Sequence, residues 1–163
     1  HEPSRRQRQM CIRDRVISDY DKGYLSEDDL WIVCNNINRP VFVDTKKRRL
    51  FQKDNVYWKI NKKEYDDLIQ DHLPNNDHLI VTLGSGGALW NGMIYKPQPV
   101  KVFDVCGAGD TFLAALVYKF LKTKSMQNAI NYANKAAAIS VTHPGAYRLS
   151  KKDIDSIGEE NES

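Results

Sequence analysis

The chain has 163 residues, of which 41% are hydrophobic and 28% charged, which fits one globular domain with a real core and excludes wholesale disorder. Its formal net charge is +3, but five arginines lie in residues 1–15 and the remainder is close to neutral, so the charge does not indicate a nucleic-acid partner. No apolar run approaches the roughly 18 residues that span a membrane. Three widely spaced cysteines suggest neither a disulfide framework nor a metal site, so we expect a cytoplasmic protein without a membrane partner.

The first fifteen residues, HEPSRRQRQMCIRDR, have no hydrophobic period. The run RQMCIRDR resembles a translated sequencing adapter of the kind found at the broken ends of assembled genes. We therefore expect residues 1–15 to be non-native, the alternative being a genuine basic, disordered tail. The folded part is expected to cover residues 16–158, with a frayed acidic end at residues 159–163.

From residue 16 onward, apolar runs alternate with amphipathic stretches, which is typical of an α/β sheet protein. Strands are predicted at residues 16–18, 40–44, 56–60 and 78–82, a hairpin at residues 88–95, and helices at residues 26–36, 61–69, 109–122, 125–141 and 153–157. Asn91-Gly92 supplies the positive φ values of a two-residue hairpin turn. The predicted fold has three layers: a mostly parallel sheet with helices on both faces and an antiparallel hairpin toward one edge.

The segment 104–110, DVCGAGD, carries the most chemical information. Gly107, Ala108 and Gly109 allow backbone N–H groups to converge, because glycine tolerates unusual φ values and leaves no Cβ in the way. The helix that follows adds its positive dipole end, and Asp110 lies at the mouth of the resulting anion site. This pattern suits phosphoryl transfer, in which amides stabilise the phosphoryl charge and a carboxylate accepts a proton. The alternative is an aspartate N-cap after a glycine turn.

This segment resembles the D-T-x-G-A-G-D signature of ribokinase-like carbohydrate kinases of the PfkB family, with Val105 in place of the usual threonine. The resemblance implies that Asp110 is the catalytic base that deprotonates a sugar hydroxyl. It also implies that the amides of Gly107, Ala108 and Gly109 form the anion hole, with Gly107 and Gly109 contacting the nucleotide. The implied phosphate donor is ATP.

A second motif begins at the end of a predicted strand, where Asn61 and Glu64 resemble the family's N-x-x-E. A carboxamide and a carboxylate one helical turn apart face the same way, so they could hold Mg²⁺ through its water shell. The alternative is a solvated helix N-terminus at which Glu64 favours the dipole.

Further nucleotide contacts are implied by the segment 82–87, TLGSGG, which resembles the family's T-x-G-x-x-G loop. Thr82, Gly84 and Gly87 would let the backbone approach ribose and phosphates, although the segment alone is a turn that enters a hairpin. Asn134 corresponds to a family position near the adenine, whereas a helical asparagine is usually solvent-facing.

The segment 140–146 resembles the family's closing loop, whose carbonyls often hold a monovalent cation together with residues of the glycine segment. The implied positions are Asp104, Cys106, Ser140 and Gly145. Leu149 falls where a hydroxyl side chain is common, so the sequence leaves potassium dependence open.

The acceptor sugar is indicated by the segment 18–23, SDYDKG, which resembles bacterial heptose 7-phosphate kinases. Lys22 and Lys46 suit phosphate contacts as compact cations, and Asp44 ends a strand in a stretch that also resembles these kinases. The alternatives are ordinary surface lysines and a ribokinase- or fructokinase-like enzyme for another sugar.

The resemblance runs over residues 16–157 and implies only the C-terminal half of a family member, without the N-terminal strands, the sugar-contacting segment and the lid. We therefore expect ATP-dependent phosphorylation of a sugar or sugar phosphate by the complete protein, a homodimer, and little activity from this chain alone. One alternative is a nucleotide-binding remnant without turnover. Another, a dinucleotide-binding dehydrogenase domain, requires a G-x-G-x-x-G after the first strand, and the sequence has none there.

Overall fold

The computed structural model describes residues 15–159. Its strands are β1 (Arg15–Asp19), β2 (Val41–Thr45), β3 (Val56–Asn61), β4 (Leu79–Thr82), β5 (Ala88–Trp90) and β6 (Met93–Tyr95). Its α-helices are α1 (Glu27–Asn35), α2 (Lys62–Asp66), α3 (Ala108–Thr123), α4 (Met126–Ser140) and α5 (Lys151–Glu159). Short 3₁₀ turns occur at Gln70–His72, Asn76–His78 and Gly84–Gly86.

The six strands form one sheet whose spatial order follows the chain, β1-β2-β3-β4-β5-β6. Strands β1 to β4 are parallel, and β5 and β6 add to the β4 edge as an antiparallel hairpin. The hairpin turns at Asn91 and Gly92, whose φ values are 49° and 76°. Both the mixed sheet and the hairpin confirm the predicted fold class.

Both faces of the sheet are covered, as the apolar runs in its strands predict. On β2, Val41 and Val43 belong to the core under α1, whereas Phe42 belongs to the core under α3 and α4. All three side chains are fully buried. Helix α1 contributes Leu30 and Cys34 to its side of the sheet. The result is the expected three-layer arrangement.

Two helix lengths differ from the sequence prediction. Helix α2 ends at Asp66 rather than near residue 69, because the amide of Ile69 donates to the carbonyl of Arg48 at 2.8 Å, in the loop after β2. Helix α5 begins earlier than residue 153, since Ser150 and Asp153 exchange hydrogen bonds that cap its first turn.

At the ends of the chain, the expected tail at residues 1–15 lies outside the described residues except for Arg15, which is the first residue of β1. Of the expected frayed end at residues 159–163, the structure describes only Glu159, the last residue of α5. Within residues 15–159, no helix is both long enough and apolar enough to cross a membrane.

Candidate active site

The predicted functional side chains gather along one edge of the sheet. Because β1 to β4 are parallel, their carboxyl ends meet there, and the register sets Asp44 beside Lys59 and Asn61 beside Thr82. Asp19 ends β1 at the same edge. Ligand sites of open α/β sheets lie outside these strand ends.

The glycine loop at the start of α3 has the conformation that an anion site needs. Gly107 is left-handed, with φ of 73°, which favours glycine, and a Cβ there would make a tight contact of 3.2 Å with the Cβ of Ala146. The amide of Ala108 donates to the carbonyl of Val105 at 3.2 Å. In the part of the chain that the structure describes, no acceptor faces the amides of Gly107 and Gly109. Two of the three predicted amides are therefore available to a ligand.

Asp110 is the third residue of α3, and its side chain is exposed at the mouth of this loop. The hydroxyl of Tyr20 lies 3.3 Å from Oδ1 and 3.5 Å from Oδ2 of this carboxylate, so it donates to the predicted base from the loop after β1. Sequence reasoning missed Tyr20, because the 90 residues between the two partners leave no local pattern that links them.

The loop that carries Tyr20 is held by a buried ion pair. The ammonium of Lys47 lies 3.3 Å from Asp19 and 2.9 Å from Asp21, and Thr45 donates to Asp19 at 3.1 Å. Burial opposes the charge of Lys47, but hydrogen bonds and charge from Asp21 and Asp19 outweigh it and raise the pKa of this lysine. The exposed Tyr20 is thus carried on a firmly anchored loop, with Asp21 itself left-handed at φ of 54°.

The three residues predicted to contact the acceptor sugar, Lys22, Asp44 and Lys46, lie in different environments. Lys22 and Lys46 are exposed, and the ammonium of Lys46 lies 5.3 Å from the ring centroid of Tyr20, close to Asp110. Asp44 instead accepts from the ammonium of Lys59 at 2.8 Å, with side-chain exposures of 18% and 7%. Lys59 was not predicted as a site residue.

Asn61 and Glu64 form a reciprocal capping box at the start of α2. The side-chain oxygen of Asn61 accepts from the amide of Glu64 at 2.9 Å, and Oε2 of Glu64 accepts from the amide of Asn61 at 2.8 Å. The other carboxylate oxygen of Glu64, Oε1, takes no part in the hydrogen bonds of the capping box. Among residues 15–159, no cluster of three His, Cys, Asp or Glu side chains could ligate a metal.

A cleft of about 440 Å³ opens beside the glycine loop, between the end of β4 with the turn that follows it, the segment 96–102 after β6, α3 and α4. Its lining includes five of the six predicted nucleotide contacts: Thr82, Gly84, Gly87, Gly109 and Asn134. Most of the remaining wall is apolar, formed by Pro97, Pro99, Val100, Val102, Phe112, Ala137 and Val141. An apolar cleft beside an anion-binding loop matches the two ends of a nucleotide, a flat base and a charged phosphate chain.

Asn134 is only 5% exposed, so the alternative of a solvent-facing asparagine does not hold. Its amide donates to the carbonyl of Tyr95 at 2.7 Å and thereby ties α4 to β6 across the cleft.

Asp104 joins the glycine loop to the closing loop. One carboxylate oxygen accepts from the amide of Cys106 and the other from the amide of Gly145, each at 2.9 Å, and these hydrogen bonds lower the pKa of Asp104. The hydroxyl of Ser140 donates to the carbonyl of Ala137 at 2.8 Å. A monovalent cation at the predicted position would therefore be held by main-chain carbonyls rather than by these side chains.

The model of the pfkB family carbohydrate kinases matches residues 54–153, a span that includes the ends of β3 and β4, the cleft and the glycine loop. The chain belongs to this family. It is 33% identical over 159 residues to the bifunctional protein HldE of a Nitratiruptor species, an alignment that covers 86% of this chain and 34% of that protein. The chain thus spans about a third of the length of this curated relative of the kinase family.

Solved structures of family kinases share its fold. Phosphofructokinase-2 from Escherichia coli in complex with potassium superposes with a TM-score of 0.68 at 19% identity, covering 92% of this chain and 57% of that one. Arabidopsis thaliana ribokinase complexed with ribose and ATP gives a TM-score of 0.58 at 21% identity, and the superposition covers 73% of this chain and 47% of that one. At these identities the likeness shows the ribokinase fold alone.

Proposed function

We propose that this chain is the nucleotide-binding and catalytic part of a kinase that transfers the γ-phosphoryl group of ATP to a hydroxyl of a sugar phosphate. The observation that carries the proposal is the glycine loop at the start of α3, where free amides of Gly107 and Gly109 lie next to the carboxylate of Asp110. Membership of the pfkB family supports the reaction class.

In the proposed reaction, Asp110 accepts the proton of the acceptor hydroxyl as its oxygen bonds to the γ-phosphorus. The bond from that phosphorus to the bridging oxygen breaks, and ADP leaves with the electron pair. The amides of Gly107 and Gly109 donate to the oxygens of the transferred group, where negative charge must be stabilised. Ala108 contributes mainly by fixing the turn, because its amide is already bonded to Val105.

The 440 Å³ cleft is the proposed nucleotide site, with the base between the segment 96–102 and α4 and the phosphates directed at the glycine loop. Thr82, Gly84, Gly87 and Asn134 line it. Mg²⁺, held through water by Glu64 and Asn61, would neutralise charge on the phosphates. Main-chain carbonyls near Asp104 and Gly145 are the proposed holders of a monovalent cation.

For the acceptor we propose a heptose 7-phosphate. The SDYDKG segment and the 33% identity to HldE support this choice over a free pentose or hexose. Lys22 and Lys46 are the proposed phosphate contacts, since both are exposed and the ammonium of Lys46 lies 5.3 Å from the ring of Tyr20, whose hydroxyl donates to Asp110.

The direct test measures binding and transfer separately. We expect the 163-residue chain to bind ATP with Mg²⁺ in a calorimetric titration but to phosphorylate heptose 7-phosphate only weakly. The reason is that Asp110 is exposed in this chain, so water is not excluded from the reaction. Robust turnover by this chain would contradict the second expectation, and absence of ATP binding would contradict the nucleotide site.

The role of Asp110 as the base is tested in the protein encoded by the gene recovered from source DNA and read upstream of the Val16 codon. In that protein, Asp110→Asn should lower kcat by at least about a hundredfold, because a general base is lost, while ATP affinity stays within about twofold. Asp155→Asn, which changes an exposed carboxylate on α5, is the matched control. A normal kcat for Asp110→Asn would remove Asp110 from the mechanism.

A further inference from the structure

Lys59 is a buried cation directly beneath the glycine loop. It lies on β3 and is 5% exposed, on the sheet face that α3 covers. Its ammonium would lie 3.2 Å from a Cβ at position 109, so it is in close contact with the backbone of Gly109. Within residues 15–159, the only hydrogen bond that the structure gives this ammonium is to one oxygen of Asp44.

This position is electrostatically unfavourable for an unliganded protein. The N-terminus of a helix carries partial positive charge, which disfavours a cation beside the first turn of α3. An ammonium and backbone amides are all donors and cannot satisfy one another, and Lys59 has three N–H groups for one paired carboxylate oxygen. An oxyanion placed between the ammonium and the amides of Gly107 and Gly109 would accept from both.

Resting on the proposed function, we propose that Lys59 recognises the terminal phosphate of a nucleoside triphosphate and so gives this site its preference for triphosphate over diphosphate. Asp44 holds the ammonium in position and balances its charge while the phosphate site is empty. Asp44 is then a positioning residue for Lys59 rather than a direct contact of the acceptor sugar.

Other cations of this edge are less suited to that role. Lys47 is already paired with two carboxylates, Asp19 and Asp21. Lys22 and Lys46 are exposed residues of the loops after β1 and β2, whereas Lys59 is buried beside Gly109. Lys59 alone among these four combines burial, a single carboxylate partner and proximity to Gly109.

The test is calorimetric titration of the 163-residue chain with ATP and with ADP, each with Mg²⁺. We expect the wild-type chain to bind ATP more tightly than ADP. Lys59→Met should lower the affinity for ATP about tenfold or more and change the affinity for ADP about twofold or less. Because Lys59→Met leaves Asp44 buried without a partner, the double variant Lys59→Met/Asp44→Asn is measured as well, and it should show the same loss of preference. Lys62→Met, an exposed lysine paired with Asp66 on α2, is the matched control and should keep the wild-type ratio.

The outcomes separate this inference from the proposed function. If both Lys59 variants bind nucleotide with an unchanged ratio of ATP to ADP affinity, or if wild type shows no preference, the role of Lys59 is overturned and the nucleotide site stands. If folded wild type binds neither nucleotide, the proposed function falls and the inference falls with it. Loss of the preference in the double variant but not in the control supports the assignment.

Discussion

Replacement of Gly87 by alanine tests how the nucleotide cleft is built. Gly87 follows the 3₁₀ turn after β4 with φ of 90° and ψ of −131°, a conformation that suits glycine alone. A Cβ there would lie 2.0 Å from the carbonyl oxygen of Tyr95 and 2.8 Å from Cδ of Pro97. The same carbonyl accepts the hydrogen bond from Asn134 that ties α4 to the hairpin. A methyl group at position 87 must therefore displace Tyr95 at the end of β6 and Pro97 in the wall of the cleft.

Three effects add to the cost of this substitution. The backbone conformation costs an alanine about 1–3 kcal/mol. Displacing packed backbone costs about 1–3 kcal/mol, and the lost hydrogen bond to Tyr95 about 1 kcal/mol. We expect Gly87→Ala to lower the free energy of unfolding by about 4 kcal/mol. The control is Gly92→Ala, at φ of 76° with nothing within 4 Å of its Cβ, which should cost only about 1–2 kcal/mol.

Urea unfolding of the two variants measures this difference. With a slope of about 1–3 kcal/mol per molar urea, the midpoint of Gly87→Ala should fall about 1 M below that of Gly92→Ala. Where enough folded protein remains, Gly87→Ala should also bind ATP more weakly, whereas Gly92→Ala should not, because Gly92 lies outside the cleft. Equal midpoints for the two variants would refute the argument that close approach to Tyr95 fixes glycine at position 87.

Two further predictions concern titrating groups. Cys34 is fully buried, and burial raises its pKa to about 11. Iodoacetamide at pH 8 should therefore label the exposed Cys106 in the native protein and Cys34 only in urea, as measured by peptide mass spectrometry. Equal labelling of the two cysteines in the native protein would contradict this. Hydrogen bonds lower the pKa of Asp29, Asp104 and Asp153 below about 3.9 in the folded chain, so their stabilisation is present above that pH and is lost as pH falls through the lower folded values. The urea midpoint should therefore drop as the pH is lowered below about 4, and a drop of the same size in Asp104→Asn would exclude Asp104 as a contributor.

The fold was predictable because its signals are local. The alternation of buried strands and helices, the Asn91-Gly92 turn and the N-cap at Ser26 each depend on neighbouring residues, and the structure reproduces all three. The end of α2 was not predictable in this way. Its termination depends on the bond from the amide of Ile69 to the carbonyl of Arg48, two segments that meet only in the folded chain.

In the candidate site, too, the local motifs were predictable and the contacts between distant segments were not. The glycine loop with Asp110, and the pair Asn61 and Glu64, are contiguous motifs that sequence reasoning found. The bond from Tyr20 to Asp110 joins two segments that are far apart in sequence, so only the packing of α3 on the face of the sheet brings them together.

Lys59 was partly predictable, because the sequence indicates that its side chain is buried. The run VYWKI is predicted as a central strand, and central parallel strands are buried on both faces, so a lysine inside one must be buried too. A buried ammonium needs a carboxylate partner, which the register supplies as Asp44 at the matching position of β2. What the sequence cannot supply is the direction of the ammonium relative to α3. The ammonium lies close to the backbone of Gly109, and this position makes a paired core lysine a candidate phosphate contact.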